Sequence, residues 1–452
     1  MSGPMWTLRL LITKARNSQF GLIPCILFVI GLTWVLSDRG RSIWMFPSQA
    51  NSSQYAHLAS HCANIPPISS SEFHARQTEL ANTLFTLNAS AYIAEPGANT
   101  QFFGNFSKTQ WSLSERPLLL VISPENSGSN DGTSFKVRPR VTILTPKFET
   151  TRAKLLSVPA IDGQVHYIEW AEEADPYAVV LANLSPSPDA SKPRIIFVDN
   201  GIRKFIVDGL LRSSEQLRKM SPPPMNVLSA PSDITQMRER KSKAEIKILK
   251  CANEATLLAI RDVHKKLYPG IRESQARNMM ASALGAAGLK DGGCLTLFGV
   301  KNAALPHGSG TDRALASTDF ALFDCTASLH GVMALAPDDL PPEHLKVWRL
   351  DGALACQVDA AARNFVEEMG YGEYFTHRLG HGVGLEVHEE PYLRGGNDDT
   401  IHIRNTFSDE PGIYIEGKVG VRLEDCFYIN DNGVGEYLTE GVGGQSTEPW
   451  RP

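Results

Sequence analysis

Apolar residues recur every three to four positions through EFHARQTELANTLFTLN, which starts at Glu72, and again through ERKSKAEIKILKCANEATLLAIRDVHKKL. In the second stretch Ile246, Leu249, Asn253, Thr256, Leu257 and Ile260 fall near one face, behind a Ser or Asp cap. Both predict helices that bury one side. Between them the period changes. ASAYIAE, PLLLVIS, RVTILT and PRIIFVD are short aliphatic or β-branched runs bounded by turn residues, and they predict strands. Strands alternating with helical stretches predict an α/β layer. SPENSGSNDGTS reads as a surface loop, and SPPPMNVLSAPSD, from Ser221 to Asp233, as a proline-rich connector at a domain boundary.

The first uncharged apolar run, FGLIPCILFVIGLTWVL, covers Phe20 to Leu36. At about 1.5 Å per residue it crosses most of a bilayer core of about 30 Å. Arg9, Lys14 and Arg16 precede it with no acidic residue among the first nineteen, which holds the start of the chain in the cytosol; Arg39 and Arg41 pull the other way. A cleaved signal peptide is the competing reading, but Val35, Leu36 and Ser37 do not form a small-x-small cleavage site. The expectation is a single-pass type II membrane protein with its catalytic part lumenal or extracellular. Asn51, Asn88, Asn105 and Asn183 each begin an N-x-S triplet, an acceptor for glycans in such a compartment.

Residues 38–71 are rich in Ser, Asn and Pro and read as a stalk. The expected order is therefore a leader (1–19), a signal anchor (20–37), the stalk (38–71), an α/β domain (72–225) and a second domain (226–452). With 452 residues, 42% of them hydrophobic, the chain can bury two cores. A formal net charge of -5 gives no field for binding nucleic acid. Cys25, Cys62, Cys251, Cys294, Cys325, Cys356 and Cys426 include no CxxC pair and read as buried small hydrophobes.

Candidate chemistry gathers late in the chain. HRLGHGVGLEVHEEP, DEPGIY and GVRLED place three histidines and two separated glutamates among glycines that let backbone approach closely. Imidazole with several carboxylates suits hard or borderline ions such as Mn²⁺, Co²⁺ or Zn²⁺. In FALFDC, Asp324 interrupts an apolar strand, where an ionised carboxylate requires a cation or a hydrogen-bond network beside it. For each of these residues a structural role, a satisfied aspartate or a packed histidine, is the alternative.

Together with KNAALPHGSG around His307, these motifs from Ser242 to Cys426 resemble the pita-bread metallopeptidase family, which holds methionine aminopeptidase, Xaa-Pro aminopeptidase, prolidase and the metal-free creatinase. The resemblance implies an α+β pita-bread catalytic domain behind a smaller creatinase-like α/β domain. It implies two divalent ions (Mn, Co or Zn) held by Asp324, His381 and Glu410 and bridged by Glu424, with Arg422 balancing charge. His307, His377 and His388 would hold substrate and stabilise the tetrahedral intermediate. The implied reaction is hydrolysis of the bond between an N-terminal residue and proline, in an aminopeptidase or dipeptidase, and family members are often homodimers.

One expected ligand is missing. The family's second aspartate lies eleven residues after the first, and that position holds Leu335; the next aspartates are Asp338 and Asp339. The text around Val332 reads as a short deletion, with a second near Ala355 and Cys356, such as a mis-spliced transcript would give. Two further functions follow from the gap. One is a catalytically inactive module that binds peptides or a partner protein. The other is metal-free hydrolysis of a small C–N substrate with His307 as base, although retention of His381, Glu410 and Glu424 argues against it.

Overall fold

The computed structural model of the chain describes residues 53–128, 135–185, 189, 192–220, 225–299, 303–337 and 350–444. Ser52–Pro452 packs as one unit. The anchor expected at 20–37, the triplet at Asn51 and the pair Asp338 and Asp339 lie outside the described residues. Among those described, no helix is long and apolar enough to cross a membrane.

The first helix, α1 (Ser70–Thr86), starts where Ser69 Oγ accepts the Glu72 N–H at 3.3 Å. It packs on a sheet of β1 (Ala89–Ala94), β2 (Leu119–Gly128), β3 (Phe135–Pro146), β4 (His166–Trp170), β5 (Arg194–Val198) and β6 (Met225–Ser229), in the order β4-β3-β2-β1-β5-β6. The ladders β1–β2 and β2–β3 are antiparallel; β4, β5 and β6 each join in parallel. Both faces are covered, which is why the strands read as continuous apolar runs. Leu80 and Leu84 of α1 meet Tyr92, Ile122 and Ile143 on one side. On the other, Val180 of α2 (Pro176–Ala182) and Ile206 and Leu210 of α3 (Lys204–Met220) meet Ile93, Val121 and Leu144.

Two expected boundaries move. Ser123–Gly128 continues β2 and pairs with Phe135–Arg140, so backbone pairing extends through polar text that composition assigns to a loop. Met225–Ser229, inside the expected connector, completes the sheet as β6. The domain boundary expected at 225/226 therefore falls within a strand.

The second half opens with α4 (Ser232–Glu239) and α5 (Lys243–His264). A capping box starts α5: Ser242 Oγ accepts the Glu245 N–H at 3.1 Å, and the Glu245 carboxylate accepts the Ser242 N–H at 2.9 Å. All six positions expected on its inner face are buried. With α6 (Glu273–Ala286) it covers an antiparallel sheet of β7 (Lys290–Phe298), β8 (Ala321–Leu329) and β9 (Val332–Pro337). A second sheet, β11-β10-β12-β15-β16, is built from β10 (Gly380–Gly382), β11 (Glu389–Leu393), β12 (Thr406–Asp409), β15 (Asp425–Ile429) and β16 (Gly435–Tyr437). The hairpin β13 (Gly412–Ile415) and β14 (Val419–Arg422) stands beside it, and α7 (Ala355–Glu368) packs on Phe407 and Phe427.

The stalk expectation fails for its described part. Ser53–Ser60 forms a 3-10 helix, and Tyr55, Leu58 and Cys62 are buried in the core of α5 and α6. Three apolar anchors at helical spacing outweigh the polar composition around them. The reading of the cysteines as small hydrophobes is incomplete for four of them: Cys62 is bonded to Cys251 of α5, and Cys294 of β7 to Cys325, its register partner in β8. Among the described residues, Cys356 forms no disulfide.

Candidate metal centre

Phe323, Cys325, Ala327 and Leu329 of β8 belong to the core. Alternation along a strand therefore turns Asp324 and Thr326 to the opposite face, where they line a cavity of ≈ 680 Å³. His307, His377, His381, His388, Glu410, Arg422 and Glu424 line the same cavity. Every site residue expected from the sequence thus reaches one place. Thr326, Arg378 and Arg394 line it as well and were not singled out.

His381 sits on β10 and is 1% exposed. Its neighbours must be glycine, because a Cβ on Gly380 would lie 2.0 Å from the Ser408 carbonyl oxygen and one on Gly382 2.5 Å from that of Glu390. Glu410 follows β12, and Glu424 joins β14 to β15. The ligand atoms of His381, Glu410 and Glu424 lie within 4.8 Å of one another.

His381 Nδ1 is 2.9 Å from the Gly382 carbonyl oxygen, which can only accept, so Nδ1 carries the proton. The lone pair is then on Nε2, 3.4 Å from Glu410 Oε1. Burial pushes the imidazole down to about 3, against the pull of the Gly382 bond, so the ring is neutral. Burial also pushes Glu410 up to about 7, with Asp324 adding to the rise and Arg422 opposing it. Glu424 is driven well above the ordinary carboxylate range by burial, then by Glu410 and Asp324. A buried and a mostly buried carboxylate and an unprotonated imidazole nitrogen crowd one point, and Arg422 offsets their charge only in part. That donor set fits a divalent cation.

Asp324 is placed differently from the expectation. Its Oδ2 accepts from Arg422 Nη2 at 2.5 Å, and it is not part of the three-residue cluster. Arg422 therefore balances Asp324 directly, where the sequence reading gave it to Glu424. The same guanidinium donates Nη1 to the Pro306 carbonyl at 2.8 Å, beside His307, and to Tyr414 Oη at 3.0 Å. Burial works to lower the Arg422 pKa, but Asp324, Tyr414 and Glu424 carry it above its ordinary range.

Tyr414 is a participant that the sequence reading passed over, although it stands in the DEPGIY motif itself. Its oxygen accepts from Arg422 and donates to His377 Nε2 at 3.0 Å, while His377 Nδ1 donates to the Arg378 carbonyl at 2.7 Å. Both ring nitrogens of His377 are thus engaged by the protein. His307 and His388 are exposed in the cavity wall, and the His388 ring lies edge-on to His381 at 4.3 Å between centroids.

In β9, Pro337 pairs with Asp324 and Leu335 with Thr326, so both occupy register positions on the face of Asp324. Neither residue type carries a ligand atom.

The model of metallopeptidase family M24 matches residues 247–336 and 345–431. An uncharacterized peptidase of Schizosaccharomyces pombe is 33% identical over 385 residues, covering 80% of this chain and 80% of that protein. The chain belongs to metallopeptidase family M24. Among M24 relatives, an Xaa-Pro dipeptidase of Lactobacillus delbrueckii subsp. lactis is 33% identical over 223 residues, 44% of this chain and 60% of that protein. The dipeptidase PepE of Mycobacterium ulcerans superposes with a TM-score of 0.65 at 25% identity, over 82% of this chain and 97% of that one. The prolidase of Pyrococcus horikoshii shares the fold, with a TM-score of 0.62 at 22% identity over 81% of this chain and 98% of that one. The pita-bread expectation is thereby met.

Proposed function

We propose that this M24 member hydrolyses short peptides at the bond after the first residue, with a preference for proline in the second position, using a metal site reduced to the donors His381, Glu410 and Glu424. The observation that carries this reading is the convergence of those three ligand atoms within 4.8 Å in a cavity lined by every other expected site residue. A bound divalent ion would supply Lewis acidity and a lowered pKa for a coordinated water. The chain's own residues supply the rest. His381 presents a neutral Nε2, and Glu410 and Glu424 give up protons to become donors. Arg422 holds Asp324 and the Pro306–His307 turn in place, and His307 and His388 are within the cavity to hydrogen-bond a peptide carbonyl.

Arg378 and Arg394 favour a substrate that carries its own carboxylate close to the scissile bond. Arg378 lies over the Tyr392 ring, 4.8 Å from its centroid, and both guanidiniums line the cavity. That wall suits the C-terminus of a dipeptide.

The gap at Leu335 and Pro337 supports the second reading, an inactive peptide-binding module. Removal of a bridging carboxylate takes a donor from each of two ions, so one ion and weak turnover are expected. Metal content per chain and turnover of Xaa-Pro against Xaa-Ala dipeptides with added Mn²⁺ decide between them. Two ions with rapid turnover would show the gap compensated; no bound ion and no cleavage would leave the binding module. The two disulfides support placing the body in an oxidising lumen or outside the cell, behind an anchor at 20–37. Protease protection of the full chain in sealed microsomes tests that topology.

A further inference from the structure

We propose that Lys241 and Arg238, at the junction of α4 and α5, are positioning residues for His388, acting through Glu389. The inference rests on the reading of the cavity as a peptidase site, but the ion pairs that carry it involve none of the metal donors. Lys241 is an almost fully buried cation, 2% exposed, and its ammonium donates to Glu389 Oε1 and to the Glu239 carbonyl at 3.2 Å. Arg238 Nε stands 3.6 Å from the other Glu389 oxygen, and its Nη2 donates to Glu386 at 2.7 Å. Two cations from the junction therefore grip two carboxylates of the segment LEVHEE.

His388 immediately precedes Glu389 and lies between the two gripped residues. Glu389 opens β11 in register with Gly382, at the point where the β10–β11 ladder shifts between His381 and Gly382. Fixing Glu389 fixes the approach of His388 to His381, whose rings meet at 4.3 Å. Among the described residues the His388 side chain has no hydrogen bond of its own, so its place depends on the backbone on either side. Gly384 completes the arrangement. A Cβ there would stand 2.4 Å from Glu389 Oε1 and 2.8 Å from Lys241 Cε, so the loop passes the buried pair only as glycine. A buried pair that loses one member leaves an uncompensated charge, and the loop is the part free to move in response.

Histidine-labelled protein, as purified, reads the ring contact by NMR, and dipeptide kinetics and metal content are measured on the same samples. Lys241→Met is expected to abolish the His381–His388 ring contact and lower kcat/KM on the order of 10–100-fold with metal content unchanged; Lys241→Arg is expected to restore both. A folded Lys241→Met protein with the ring contact and kcat/KM intact would overturn the proposal. So would a parallel fall in metal content, activity and melting temperature without rescue by Lys241→Arg, which is what a purely structural role gives. Should Lys241→Met not fold, Glu389→Gln, neutral and isosteric, is read in the same way. If the unaltered protein cleaves no peptide, the peptidase reading fails, and the ring contact in the variants still decides the positioning role.

Discussion

At the scale of single residues, the site is governed by proton occupancy. His381 is neutral through the physiological range and offers Nε2 at any working pH. Glu410, in contrast, holds its proton up to about 7 in the folded chain against an ordinary 4.5. Without metal, the unfolded chain ionises this group first as pH rises, while the native state keeps the proton. Stability should therefore fall between about pH 4.5 and 7 through Glu410, with Glu424 acting in the same direction. Metal reverses the sign, because the ion competes with those protons. Mn²⁺ affinity measured by calorimetry should rise across this window with proton release, and Glu410→Gln should flatten the dependence. A pH-independent affinity would show that the two glutamates are not the donors. Arg422 gives a second expectation at this scale. Its loss in Arg422→Met strands Asp324 and removes the bonds to Pro306 and Tyr414, at a cost of roughly 3–5 kcal/mol. Mn²⁺ should recover part of the lost melting temperature, since the freed Asp324 carboxylate faces the same cavity.

At the scale of elements, the hairpin β8–β9 carries Asp324 into the cavity wall and sets which positions stand opposite it. Leu329 pairs with Val332, so His330 and Gly331 form a two-residue turn and the register runs unbroken from there to Asp324 and Pro337. Leu335 stands two positions from Pro337, on the same face as Asp324 and Thr326. Leu335→Asp should therefore raise metal content per chain and raise dipeptide turnover with it; unchanged metal content would show that β9 cannot deliver a ligand. Much of this was legible beforehand, because strand period and motif spacing are local properties. The runs that became β1, β2, β3 and β5, the one-sided α5 and the cavity residues His307, Asp324 and His381 each declare themselves within a few positions of sequence. The Arg422–Asp324 pair was not legible, since it joins residues 98 positions apart and depends on which oxygen faces which nitrogen. Tyr414 was hidden for a similar reason: a tyrosine in a strand is ordinary until its hydroxyl is seen between a guanidinium and an imidazole.

At the scale of the whole molecule, the described part of the expected stalk, from residue 53 on, is a strap. Composition suggested solvent-exposed chain, but Tyr55, Leu58 and Cys62 enter the core beneath α5 and α6, and the bond to Cys251 closes a loop with a separation of 189 residues around the entire first sheet. His61 and Glu254, 2.8 Å apart, fasten the same junction from the surface side. Pairing at such a distance leaves no trace in local spacing, which is why seven scattered cysteines read as ordinary core residues. Loop-closure entropy grows only with the logarithm of loop length, so a loop this long gives a gain of roughly 5 kcal/mol in the chain-entropy model. The strap packs on α5 and α6, and these helices cover the sheet β7-β8-β9 on the side of its core residues Phe323 and Cys325. Cys62→Ser should therefore lower the melting temperature strongly while leaving Mn²⁺ affinity at His381, Glu410 and Glu424 unchanged. Calorimetric unfolding and metal titration of the same preparation separate the two quantities. A fall in both would mean that the strap, through α5 and α6, also shapes the cavity.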